Sequence, residues 1–228
     1  MPIVYAPISS PEEWKNLLAE PEKQWRTGYS ARTLAHCWLA SDGIPAEIAS
    51  LLATSQVPAL RRILPLIVIP EHQVPLPPSA GHPSQNDVFV LAKADDGALV
   101  SMTVEGKVSE SFDKTVGEWN KPGSAGKQER LTFLAQKLGI GQVPDQIRYQ
   151  LLHRTVSAVL EAERFCARYA VMVVQSFSPT DEWFDDYDRF LATFRVQSQV
   201  GQLVKLQQPG PITLYAGWAR GDPKFLAD

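Results

Sequence analysis

Apolar positions change period along this chain, and the changes mark its elements. From residue 10 to about residue 55 they recur at helical spacing. Ser10, Pro11, Glu12 and Glu13 give a capping hydroxyl, a proline at the first helical position and two acids at the positive end of the helix dipole. Trp14, Leu17 and Leu18 follow as one apolar stripe. A second helix is predicted from Ser30 through Leu34 and Trp38 to about residue 40, and a third after Pro45, with Ile48, Leu51 and Leu52 on one face. These Trp and Leu positions read as core. Residues 64–69 are then continuously apolar, as a buried strand requires. A loop of prolines and small polar residues occupies 75–85 (PLPPSAGHPSQ). It fits a loop beside a site better than a linker, because strand patterning resumes directly after it.

Residues 87–92 (DVFVLA), the turn at Asp95, Asp96 and Gly97, and residues 99–108 (LVSMTVEGKV) form a predicted hairpin. Alternation puts Ser101, Thr103, Glu105 and Lys107 on one face, with Met102, Val104 and Val108 on the other. Helical spacing returns at about residue 127 with Leu131, Leu134 and Leu138, and Gly139 is a plausible stop. A long helix over 144–169, a buried strand over 170–177, a helix over 181–194 and a strand over 212–218 complete the chain. This order predicts an α/β fold, with α+β as the alternative: a mixed central sheet flanked by helices. One domain is expected over 1–228, with a helical N-terminal part at 10–55, a core at 45–177 and a C-terminal helix and strand at 181–218.

Composition narrows the class. With 44% hydrophobic and 21% charged residues, wholesale disorder is excluded. The longest apolar stretch, 63–69, is interrupted by Pro65 and too short for a bilayer, and the opening residues do not read as a signal peptide. Cys37 and Cys166 are far apart without metal-ligand spacing, so a reduced, buried pair and a cytoplasmic location are expected. Net charge is −3 and the pI about 5.8. Nucleic acid as a partner is therefore not supported by net charge and would need a local basic surface. Lys121, Lys127, Arg130, Arg148, His153 and Arg154 are the residues for one, if they are not simply solvated helix faces. No membrane partner is expected; a homodimer is compatible with the sequence.

Glu105 and Lys107 project from one face of a strand, and Asp87 opens the neighbouring strand. Two close carboxylates repel unless a divalent cation neutralises them, and hard oxygen donors suit Mg²⁺ or Mn²⁺. A nearby ammonium would stabilise charge developing on phosphorus. On these residues the chain resembles the PD-(D/E)XK nuclease superfamily: Asp87 in SQNDVFVL is similar to its first acid, and Glu105-Gly106-Lys107 in MTVEGKV to its acid-x-lysine half. The order of core elements is similar over 45–177. The resemblance implies a restriction endonuclease-like core with Asp87, Glu105 and the Gly106 carbonyl as metal ligands. It implies catalytic roles for Asp87, Glu105, Lys107 and Gln150. His153, Arg154 and Lys127 are the substrate-binding candidates; Gln150 and Arg154 share a helix face at i,i+4. Departures are Asn86 where a proline often precedes the acid, a long insertion over 109–143, and a helical acid with only Glu47, or Glu71 in competition, to stand for it. The chain also resembles an uncharacterised bacterial family of unknown function, on VEGKVSE, QLLHR and GWARGD.

Other patterns fail. GSAGKQ (123–128) lacks the earlier glycine and the Ser/Thr of a phosphate loop and reads as a flexible loop or basic flap. The four histidines make no zinc pattern, and no GxSxG or Cys–His pair supports acyl transfer. Trp218 and Arg220 in GWARGD read as a strand end before a turn. The expectation is a metal-dependent phosphodiesterase acting on DNA, or with less support RNA. The alternative is a catalytically inactive module of the same fold that binds a protein; an enzyme on a small phosphorylated substrate has weaker support.

Overall fold

The computed structural model describes residues 8–78 and 81–228. The opening stretch without signal-peptide character and the middle of the proline-rich loop therefore lie, in part, outside the described residues. Six strands form one mixed sheet: β1 (Ile63–Val74), β2 (Ser84–Ala94), β3 (Leu99–Lys107), β4 (Tyr169–Ser176), β5 (Leu203–Leu206) and β6 (Thr213–Arg220). Their spatial order is β1-β2-β3-β4-β6-β5. Pairing is antiparallel for β1–β2, β2–β3 and β5–β6, and parallel for β3–β4 and β4–β6. Helices cover both faces, which makes the fold α/β.

Each face has its own core, and strand alternation divides them. On one side Val88, Val90, Met102, Val104, Val171 and Val173 pack with Trp14 of α1 (Pro11–Lys15), Leu34 of α3 (Ser30–Leu39) and Leu51 of α4 (Ala46–Ala53). A short α2 (Pro21–Gln24) precedes α3. On the other side Met172, Val174, Leu214 and Trp218 pack with α6 (Ala125–Leu138), α7 (Tyr149–Arg164) and α8 (Phe184–Ala192). A parallel β3–β4 pair needs a crossover, and the chain supplies it through α5 (Val116–Trp119), α6 and α7. All eight residues of β4 are buried, as expected for a strand covered on both faces.

Local chemistry explains most boundaries. Ser10 caps α1, its side chain accepting from the Glu13 N–H. Ser124 caps α6, which ends at Gly139 with φ 67°, a left-handed residue that glycine adopts without strain. Two predicted helices are shorter than expected. Residues 144–148 form a turn closed by Ile147 N–H to Pro144 O, and Arg148 joins an isolated bridge with Thr115 while its guanidinium donates to Asp113 O and Asp186. The far end stops where Cys166 turns left-handed at φ 53°. The 181–194 helix starts later, at Phe184, because Trp183 is left-handed at φ 69°. Strand β5 was not predicted.

Further corrections concern single residues. Cys37 is buried, but Cys166 is exposed; both are free thiols. Trp218 is fully buried in the helical core beside Phe112, Phe184 and Tyr187, and β6 ends at Arg220 as expected. Arg130 and Arg154 are buried rather than solvated or forming a basic surface. No described helix is long and apolar enough to cross a membrane.

Gly217 lets α4 sit on β6: a Cβ there would lie 2.6 Å from Leu51 Cδ2 and 3.1 Å from Leu51 Cγ. Gly217→Ala is expected to lose about 1–3 kcal/mol through overpacking, read as a lower urea midpoint. An unchanged midpoint would mean that α4 moves away freely.

Candidate active site at the fork in the sheet

The site lies where the sheet divides. Strand β2 pairs with β1 out to Val74↔Ser84, but its pairing with β3 stops at Val88↔Val104. Beyond that point β3 stays with β4 as far as Lys107↔Ser176. Counting one step past Val88↔Val104 sets Asp87 opposite Glu105; counting between Pro70↔Val88 and His72↔Asn86 sets Glu71 opposite Asp87. Three acids from three consecutive strands thus share one cross-strand row. They border a cleft of about 420 Å³ together with Lys107, Gln150, Arg154 and Glu110.

Glu105 is the most heavily engaged of them. Its Oε1 accepts from Lys107 Nζ at 2.8 Å and from Gln150 Nε2 at 2.6 Å, and its Oε2 accepts from Arg154 Nε at 2.6 Å. Gln150 and Arg154 stand one helical turn apart on α7, so both reach β3. Lys107 also donates to Gln150 Oε1 at 3.1 Å, and its ammonium lies 4.9 Å from the centroid of the Phe112 ring. Burial disfavours the charge on Glu105, but the Lys107 ammonium and the Arg154 guanidinium outweigh it and hold its pKa below the usual range.

Asp87 behaves oppositely. Burial, then the neighbouring Glu105 and Glu71 carboxylates, push its pKa well above the usual value. Its Oδ2 accepts from the Gly106 N–H at 2.8 Å, replacing the ladder bond that the fork removes. Within a strand, one residue's N–H and C=O point to the same neighbouring strand. The Gly106 carbonyl therefore points toward β2 as well. Residues of the other parity serve β4, and Lys107 O accepts from Phe177 N–H at 2.7 Å. Glu71, left-handed at φ 52°, accepts from Gln85 Nε2 at 2.8 Å and from Trp14 Nε1 at 3.3 Å; burial raises its pKa to about 7.

Not every expected residue enters the cleft. His153 lines a neighbouring cavity instead: its Nδ1 meets Ser84 Oγ at 2.8 Å, and that hydroxyl accepts from Arg154 Nη1 at 3.2 Å. Burial, then Arg154 and Arg130, drive the His153 pKa well down, so the imidazole is neutral. Lys127 lies in a neighbouring cavity, its ammonium donating to Trp119 O at 2.6 Å. Glu47 points to the opposite face of the sheet, accepting from Gln175 Nε2 at 2.7 Å beside Cys37. Residues that the sequence reading did not select also line the cleft, among them Gln85, Glu110 and Lys23. Glu110 accepts from the Ser30 N–H at 2.7 Å and so ties the start of α3 to the site. As the side chains stand, the described residues include no group of three or more His, Cys, Asp or Glu placed to hold a metal ion; Glu105 is turned to its cations instead.

The chain belongs to the DUF6946 family, a domain of unknown function whose model matches residues 7–223. No curated protein and no solved structure matches it.

Two outcomes follow from this electrostatic arrangement. Asp87 and Glu71 titrate higher folded than unfolded, so the folded chain holds extra protons between their two values. Their contribution to stability is greatest below about pH 4 and declines toward about pH 7, where Glu71 titrates. Urea unfolding across that window should show the decline, and Glu71→Gln should flatten it; an equally steep decline in the variant would discount Glu71. Glu105→Gln would leave Arg154 and Lys107 buried without their anion, and is expected to cost about 3–5 kcal/mol. A loss within about 0.5 kcal/mol of zero would show that water reaches both cations.

Proposed function

We propose that this chain is a metal-dependent phosphodiesterase of the nuclease type, acting on DNA or, with less support, RNA at the sheet fork. The observation that supports the reading is the meeting of Asp87, Glu105, Lys107 and Gln150 in one cleft, each on the element that the PD-(D/E)XK resemblance implies.

The donor chemistry fits Mg²⁺ or Mn²⁺. Glu105 is committed to three donors, which leaves one lone-pair site on its Oε2. A carboxylate offers about four lone-pair sites, of which Asp87 gives one to Gly106 and Glu71 gives two to Gln85 and Trp14. Asp87, Glu71 and the Gly106 carbonyl are therefore the hard oxygens that would hold the ion, with Glu105 at its margin. Bound there, it would supply Lewis acidity toward a phosphoryl oxygen and acidify a water.

The chain's own residues do the rest. Lys107 offers an ammonium fixed by Glu105 and Gln150, a preorganised positive group for charge developing on the phosphoryl oxygens. Gln150 orients both Glu105 and Lys107. Arg154 meets the other Glu105 oxygen, so part of that carboxylate's charge is balanced without Lys107. Lys23, Gln24, Tyr29, Ser30 and Ala31 line one side of the cleft.

Purified protein should cleave DNA with Mg²⁺ or Mn²⁺ and not in excess chelator. Lys107→Ala should lower the rate at least about a hundredfold while circular dichroism shows the fold retained, because Glu105 keeps Arg154 and Gln150. Equal cleavage by the variant, or in chelator, would sink the mechanism. Calorimetry with Mn²⁺ should give binding heat that Asp87→Asn removes. One observation favours a second reading: both Glu105 oxygens are engaged by the protein itself. On that reading the chain is a catalytically silent module that binds a protein, and absent Mn²⁺ heat with absent cleavage would select it.

A further inference from the structure

Beside the cleft lies a second cavity, of about 430 Å³, between the proline-rich loop and helices α5 to α7. Its character differs from that of the acidic cleft. Trp119 and Tyr149 stack at 4.0 Å with their planes 11° apart, and Tyr149 meets His153 at 4.8 Å. This aromatic row is joined by Leu76 and Pro78 and by the ammonium of Lys127, 5.3 Å from the centroid of the Trp119 ring. The Tyr149 hydroxyl is shielded from solvent, so the residue offers the cavity its ring rather than its oxygen.

The cavity is built rather than incidental. Arg130 donates to the carbonyls of Leu76, Pro77 and His82, which fixes the loop as a wall. Gly81 passes so close that a Cβ there would fall 2.3 Å from the Arg130 guanidinium, and a Cβ on Gly126 would lie 3.3 Å from Pro78. Only one layer of side chains separates this cavity from the cleft. Ser84 and His153 line the cavity, and both are hydrogen-bonded toward Arg154, which lines the cleft. Tyr149 and Gln150, neighbours in sequence, serve one space each.

We infer that this cavity receives a nucleobase of a single-stranded nucleic acid while the adjoining phosphate lies in the Asp87–Lys107 cleft, an inference that rests on the phosphodiesterase reading of that cleft. A base has flat apolar faces and a polar edge. The cavity has aromatic and proline walls and a neutral imidazole, with the Lys127 ammonium to meet that edge. Its volume falls in the range of small-ligand pockets. A single strand fits better than a duplex for two reasons. A base reaches a side cavity only when it is out of its stack. A chain of net charge −3 also lacks the broad positive surface that duplex binding draws on, so stacking must contribute much of the affinity.

The test separates base binding from cleavage by using Lys107→Ala protein and a short single-stranded oligodeoxynucleotide with phosphorothioate linkages. Fluorescence anisotropy should show binding. A strand of equal length built of abasic sugars should bind about tenfold more weakly, and adding Trp119→Ala should weaken the intact strand by a similar factor. The matching duplex should bind less tightly than the single strand. The inference is overturned if nothing binds, if the abasic strand binds as tightly as the intact one, or if the duplex binds best. The abasic comparison uses one protein throughout, so a folding defect in a variant cannot imitate the result. Base-dependent binding without cleavage by the wild-type chain would remove the phosphodiesterase reading and leave the cavity assignment standing. Cleavage with base-independent binding would do the reverse.

Discussion

The carboxylate of Glu105 holds this architecture in register. It is the point where β3 is fastened to α7, through Gln150 and Arg154, and it keeps Lys107 extended beside it. Taking an anion and two cations out of water is costly, and such clusters persist only when their hydrogen-bonding capacity is met. Here every partner is supplied by a strand residue two positions away or by residues one helical turn apart. The crossover that carries the chain from β3 to β4 thus has its final helix set by the same contacts that define the cleft. Neighbouring Ser101 and Thr103 extend the seam, donating to the Ala158 and Arg154 carbonyls of α7.

The fork gives the acids their unequal characters. Glu105 remains in a sheet that continues on its β4 side and is surrounded by positive charge. Asp87 departs with β2, accepts a single backbone N–H and faces other carboxylates. Two similar groups are thereby driven toward opposite protonation behaviour by their surroundings, an arrangement found at functional sites more often than elsewhere. The unmatched side of the row is Asp87 with Glu71, and there an added positive charge would meet least competition.

Much of the sheet was legible in the sequence. Strict alternation over 99–108 placed Glu105 and Lys107 together and sent Met102 and Val104 to the opposite core, and i,i+4 spacing joined Gln150 with Arg154. What escaped depended on tertiary context. Ser84 and Gln85 sit in a stretch of turn-forming composition, yet they extend β2 because β1 offers them a pairing edge. Glu71 enters the row through a left-handed turn in its strand, which no periodicity announces. Arg130 was grouped with a basic surface, but its partners, carbonyls of a distant loop, are brought close only by folding. Lys127 was grouped with the cleft for its charge alone, and α6 carries it to the adjoining cavity.

The grip of Arg130 on the loop after β1 also bears on how this protein can vary. One guanidinium collects the carbonyls of Leu76, Pro77 and His82, so the two described ends of the loop are tied together through backbone atoms rather than side chains. Substitutions that leave those carbonyls in place should therefore be tolerated there, except at Gly81, where a Cβ would meet the Arg130 guanidinium, and at the buried Leu76. An inserted or deleted residue would shift at least one carbonyl out of reach and expose a buried cation. Among relatives, this loop should accordingly drift in composition while keeping its length, the opposite of the usual behaviour of a surface connection.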